Sequence, residues 1–187
     1  MSDHIQELQL SGVLLIQPRV YKDERGSFVE MWNEAREAKV GFAPRFVQDN
    51  VVFSRHAVLR GLHFQQPYAQ GKYVTATYGE IYDVAVDLRP DSATFGQWLS
   101  LQLSAAKANA LYIPPGFAHG YQVISQEAVV VYKCTEHYHA EADRSIGWND
   151  PQLNIPWPIA DPLLSEKDQR APSFESVCRE LGLRAAV

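Results

Sequence analysis

The sequence predicts a mainly β protein, a sandwich or a closed barrel, with short helices confined to one internal stretch and the C-terminal tail. Three observations carry this. Short runs rich in β-branched and aromatic residues recur at close spacing. Turn chemistry separates them: DERG at 23–26, RPDSATFG at 89–96 and PPG at 114–116. Good helix formers gather only at 33–39 and after residue 164.

The first expected strand, 13–17 (VLLIQ), is a short apolar run, and 27–32 (SFVEMW) follows the DERG turn. Strands at 46–53 and 58–65 flank the turn around His56. Residues 73–78 (YVTATY) are β-formers throughout, and 81–88 (IYDVAVDL) alternate, with Asp83 and Asp87 on one face among apolar neighbours. Further strands are expected at 98–103, 110–113, 120–125 and 128–136. Helices are expected at 33–39, in SEKDQ from Ser165, and over 173–181 with Ser173 as N-cap. The proline-rich stretch 150–162 reads as an arm, because Leu153, Ile155 and Trp157 need a surface to pack on.

The chain has 187 residues, 46% hydrophobic and 21% charged, which suits a single folded domain spanning 1–187. A β-barrel core is expected over about 10–150, with the arm and helices at 151–187. No apolar run reaches the roughly 20 residues that span a bilayer. The start, MSDHIQELQL, lacks the basic and apolar regions of a secretory signal. Cys134 and Cys178 are expected as reduced thiols in a cytoplasmic protein. A net charge of −5 argues against a nucleic-acid surface while leaving room for a locally basic pocket.

Of six histidines, His4 falls at an end expected to fray, and His56, His137 and His139 read as solvated. His63 sits on a strand and His119 where a proline-glycine turn enters one, in PPGFAHGY. A lone strand histidine more often packs than reacts. The Pro-Gly-x-x-His turn resembles the second motif of the cupins, whose first motif carries His-x-His and a glutamate as metal ligands. Here that place reads His63-Phe64-Gln65, with Glu80 distant. Two histidines are too few for a tight divalent site, so no metal and no cofactor are expected. Lys72, Tyr132 and the pair Lys167-Asp168 each have an ordinary reading, as packing or solvated charge. Their presence together in a barrel without its metal ligands points to proton transfer.

The segments DERGSFVE, FVQDN, LRGLHFQ, AQGKYV, YDVAVDLRPDSATFGQW, YIPPGFAHGY and LSEKD resemble the dTDP-4-dehydrorhamnose 3,5-epimerase family over residues of about 12–172. The resemblance implies a cupin-like jelly-roll β-barrel with short C-terminal helices, without metal, forming a homodimer. It implies epimerisation of dTDP-4-dehydro-6-deoxy-D-glucose at C3 and C5, next to the C4 ketone. By the same resemblance His63 is the base, Asp168 its orienting carboxylate, Lys72 the cation at the developing enolate and Tyr132 the acid. Arg25, Glu30, Gln48, Asp49, Asn50, Arg60, His119, Asp143 and Lys167 match substrate-binding positions, and Tyr138 matches an aromatic that stacks on thymine. Two departures stand out: Val51-Val52-Phe53 after FVQDN, where His-Ser is common, and Asp143 in place of a glutamate.

Strict alternation puts Arg60 and His63 on opposite faces of their strand. If both serve one pocket the strand must be irregular, and Gly61 is the residue that permits it. The competing readings are a single-site epimerase of another dTDP-4-keto-6-deoxy sugar, a sugar-nucleotide-binding cupin without turnover, and a metal-dependent cupin oxygenase.

Overall fold

A computed structural model of the chain describes residues 4–183. In chain order the strands are β1 (Ile5–Glu7), β2 (Leu14–Ile16), β3 (Val20–Asp23), β4 (Gly26–Val29), β5 (Gln48–Arg55), β6 (Leu59–Gln65) and β7 (Lys72–Tyr78). They continue with β8 (Glu80–Asp87), β9 (Trp98–Ser104), β10 (Ala110–Ile113), β11 (Phe117–Val123), β12 (Glu127–Cys134) and β13 (Asp143–Ser145). The helices are α1 (Glu34–Ala38), α2 (Glu166–Gln169) and α3 (Phe174–Glu180). One sheet has six strands, ordered β1-β2-β10-β7-β12-β5, and a second has five, ordered β13-β6-β11-β8-β9; β3 and β4 form a separate hairpin.

The two main sheets face each other as a jelly-roll sandwich and do not close into the expected barrel. Both faces of the five-stranded sheet are covered, which explains the apolar character of β8. Ile81 and Ala85 turn inward to meet Val74, Ala76 and Val130 of the six-stranded sheet. Val84 and Val86 face outward, under the arm and α3, where Leu153, Ile155, Phe174 and Val177 are buried. The arm therefore packs as its sequence demands, each large side chain contributing about 2 kcal/mol of burial. Trp157 joins that layer and donates its indole N–H to the Trp148 carbonyl at 2.7 Å. On the outer face of the six-stranded sheet, Tyr73, Ile16 and Phe42 make a third cluster with Trp32 and Phe46.

Capping chemistry sets the helix starts. Asn33 accepts from the Arg36 N–H, Ser165 from Asp168 and Ser173 from Ser176. Asp87, fully buried, accepts from Arg89, Ser92 and Thr94 and so holds the turn after β8 together. The sequence reading missed β1, β3 and β13, which have only three or four residues each. It also placed His4 in a fraying end, whereas His4 lies 2.8 Å from the buried Glu37 carboxylate.

The expected irregularity lies in β6. His119 of β11 is opposite His63 and Tyr121 opposite Arg60, so three steps on β6 match two on β11. That extra residue brings Arg60 and His63 to one side of the strand. Gly61 has φ 135°, and a Cβ there would lie 2.5 Å from the Gly120 Cα. No side chain fits, and the backbone conformation suits glycine alone.

Candidate active site

Between one end of the two sheets is a cavity of about 390 Å³. The five-stranded sheet contributes His63, Phe64 and Gln65 from β6 and Asp143 from β13. The six-stranded sheet contributes Gln48 and Asn50 from β5, Lys72 from β7 and Tyr132 from β12. Gln70, Tyr138 and Lys167 complete the wall. The wall is mostly polar, with Phe64, Tyr132 and Tyr138 as its aromatic members; Lys72 enters where it opens β7 and Tyr132 near the end of β12.

His63 Nε2 lies 2.6 Å from Asp168 Oδ1, and Asp168 is only 3% exposed. Burial pushes the Asp168 carboxyl up, but hydrogen bonds from His63 and Ser165 outweigh it and hold the pKa below the usual value. An ionised Asp168 accepts the Nε2 proton, which leaves the lone pair of the neutral imidazole on Nδ1. Asp168 itself is fixed at both ends: Ser165 Oγ donates to Oδ2 at 2.8 Å while accepting the Asp168 N–H at 3.1 Å. The cap of a four-residue helix thereby positions the carboxylate that holds His63.

Lys72 makes no hydrogen bond or ion pair with a side chain among the described residues. Desolvation lowers its pKa, opposed by Cys134, Asp83 and Asp143. A cation without a direct partner on a cavity wall is placed to meet an anionic ligand group. Burial raises the Tyr132 phenol, and the Cys134 thiol adds to this; Arg60 opposes them. Burial thus favours the protonated phenol, and Arg60 is the cation that eases its ionisation. Arg60 is otherwise tied to Ser54 Oγ at 3.2 Å and does not line the cavity.

A second histidine–carboxylate pair lies on the neighbouring strands. His119 Nε2 is 2.8 Å from Asp83 Oδ2, with His119 6% and Asp83 0% exposed. A carboxylate buried this deeply is costly without a partner, and His119 supplies it. Among the described residues Asp83 Oδ1 has no hydrogen-bond partner.

The remaining substrate-binding candidates divide. Asn50, Gln48, Asp143, Lys167 and Tyr138 all line the cavity. Asp143 accepts from both the Tyr138 hydroxyl, at 3.2 Å, and the Lys167 ammonium, so the shorter carboxylate still ties the two together. Asp49 points away and pairs with Lys133 at 2.8 Å. Arg25 pairs with Asp23 in the exposed hairpin, and Glu30 with Arg36; neither lines the cavity of this chain. Sequence reasoning overlooked Gln70, which lines the cavity, and Ser165, whose place at a helix start was visible but not its link to the His63–Asp168 pair. Gln65, singled out only as a missing metal ligand, uses its amide on backbone groups. Among the described residues no group of three or more His, Cys, Asp or Glu side chains is placed to hold a metal ion.

The fold and the cavity define a jelly-roll protein whose cavity takes an imidazole from one sheet and a phenol and an ammonium from the other. The pattern of the dTDP-4-dehydrorhamnose 3,5-epimerases matches residues 7–176. The chain is 51% identical over 169 residues to the dTDP-4-dehydrorhamnose 3,5-epimerase of Pseudomonas aeruginosa, covering 89% of this chain and 93% of that one. It is similar to the dTDP-6-deoxy-D-glucose-3,5-epimerase of Legionella pneumophila in complex with dTDP-4-keto-L-rhamnose, at 44% identity and a TM-score of 0.91 over 98% of both chains. A 3'-monoepimerase from Streptomyces bikiniensis in complex with dTDP-quinovose superposes with a TM-score of 0.86 at 32% identity, over 94% of this chain and 90% of that one. The chain belongs to the dTDP-4-dehydrorhamnose 3,5-epimerase family.

Proposed function

We propose that the protein epimerises dTDP-4-dehydro-6-deoxy-D-glucose at C3 and C5, giving dTDP-4-dehydro-L-rhamnose in dTDP-L-rhamnose biosynthesis. The observation that carries this reading is that His63 and Tyr132 come from opposite sheets onto one cavity. Inverting a carbon requires that a proton leave one face of the sugar ring and another arrive on the opposite face. The C4 ketone acidifies both neighbouring carbons. His63 Nδ1 takes the proton, and Asp168 stabilises the imidazolium that forms. Lys72 meets the charge that develops on the enolate oxygen, an arrangement typically worth about 3 kcal/mol of barrier. The Tyr132 hydroxyl delivers the new proton.

Tyr138, Asp143, Lys167, Gln48 and Asn50 form the nucleotide end, Tyr138 offering an aromatic face to the thymine. Lys167 is a point charge for a diphosphate oxygen. Arg25 and Glu30, remote from the cavity of their own chain, serve that of a second copy in a homodimer. The exposed β3–β4 hairpin and the edge strand β5, with Val51 and Phe53 bare, are surfaces that such a copy would cover. Asp49, Arg60 and His119 shape the site from outside the cavity wall. No helix among the described residues is long and apolar enough to cross a membrane, and both cysteines are buried and unbridged, in accord with a cytoplasmic enzyme.

The test is turnover of the substrate in D₂O followed by proton NMR. Deuterium at both C3 and C5 supports the double epimerase. Label at one carbon alone overturns it in favour of a single-site enzyme, and no label at either removes turnover altogether.

A further inference from the structure

Gln65 occupies the position after His63-Phe64 and is 5% exposed. Its amide is engaged on both sides. Nε2 donates to the Tyr68 carbonyl at 2.8 Å and to the His137 carbonyl at 3.0 Å. Oε1 accepts the His139 N–H at 2.7 Å. The two segments so joined are the β6–β7 connection and the stretch that carries Tyr138 on the cavity wall. Gln48, on the opposite sheet, accepts the Tyr138 N–H itself at 3.0 Å. Three consecutive residues, His137, Tyr138 and His139, are therefore held by two glutamine side chains, one from each sheet.

Other features agree with a fixed segment. The Tyr68 and His139 rings stack with centroids 4.2 Å apart. Tyr68 has φ 64°, a left-handed conformation that tyrosine seldom adopts, and its carbonyl is the one Gln65 binds. Tyr138, by contrast, is 56% exposed, with its ring free to receive a ligand. An exposed aromatic on a loose loop loses conformational freedom when a ligand orders it, and that loss weakens binding. Holding the backbone beforehand removes the loss.

We propose that Gln65 is a positioning residue that preorganises Tyr138 for the nucleotide base, from the same strand that carries His63. The proposal rests on the reading of Tyr138 as the base-stacking residue. Gln65 reaches the cavity wall, but its amide is taken up by backbone groups, so it acts through the backbone of His137 and His139. It thereby links the nucleotide anchor to the catalytic strand, two residues from the imidazole.

The experiment is steady-state kinetics of Gln65→Leu, alone and in a Tyr138→Ala background, with dTDP binding measured by titration calorimetry. Gln65→Leu is expected to raise KM and the dTDP dissociation constant about tenfold, with kcat within about twofold. In the Tyr138→Ala background the same change is expected to add less than about twofold, because the residue being positioned is gone. Equal falls in kcat and kcat/KM, or effects that multiply in the double variant, overturn the proposal. Should Gln65→Leu not fold, Gln65→Glu keeps the acceptor for the His139 N–H and loses the two donated bonds. It is expected to show the same split at about threefold; a change in kcat alone overturns the proposal again. Because dTDP binding is read without turnover, failure of the double-epimerase reading leaves this test intact and distinguishable.

Discussion

The protein holds two histidine–aspartate pairs on adjacent strands, His63 opposite His119 in register, and they are built differently. His63 has 31% of its side chain open and faces the cavity, and its carboxylate comes from a helix 105 residues away in sequence. His119 is sealed, with 7% of its side chain open, and its carboxylate comes from the neighbouring strand β8. The geometry of the hydrogen bond is nearly the same, at 2.6 and 2.8 Å. What differs is access. The open pair can exchange a proton with a ligand, whereas the sealed pair can only fix its own imidazole and add negative charge behind Lys72. A histidine–carboxylate contact by itself does not mark a base; the second ring nitrogen must also reach a substrate.

That contrast can be broken from either side. The largest effect is expected for His63→Ala, which should lower kcat/KM by about 10³- to 10⁴-fold while shifting the melting temperature little. His119→Ala should do the reverse. It leaves Asp83 buried without its partner, and chemical denaturation is expected to find a loss of about 3 kcal/mol. Asp168→Asn should lower kcat about 100-fold, because the amide no longer stabilises the imidazolium.

The smallest effect is one of pH. The folded pKa of Asp168 lies below its unfolded value. Its contribution to stability is therefore full above an unfolded value of about 4 and is lost as the pH falls through the folded value. Melting temperatures of wild type and Asp168→Asn should converge on acidification below about pH 4. A difference that stays constant through that range would show the pair to be uncoupled from protonation.

Much of this was legible in the sequence, for identifiable reasons. Apolar runs bounded by turn residues located most of the strands, because burial on one or both faces dictates their composition. The demand that Arg60 and His63 share a side predicted an irregular β6, and Gly61 supplies it. The arm's packing followed from Leu153, Ile155 and Trp157 having nowhere else to go. Periodicity within a strand says which way a residue faces but not which strand lies beside it. Hence Asp83 was placed on one face among apolar neighbours, while His119 was not named as its partner. For the same reason the sheets were expected to close, and Gln65 was read as a vacant ligand position rather than as a tie between two loops.

In the proposed reaction His63 removes the proton and Tyr132 returns one from the other sheet. Deuterium wash-in with the two single variants separates these roles. In D₂O, Tyr132→Phe is expected to exchange the proton next to the ketone without inverting the carbon, since the base still works. His63→Ala is expected to exchange none above the uncatalysed rate. Exchange that persists in His63→Ala and disappears in Tyr132→Phe would contradict the assignment of base and acid.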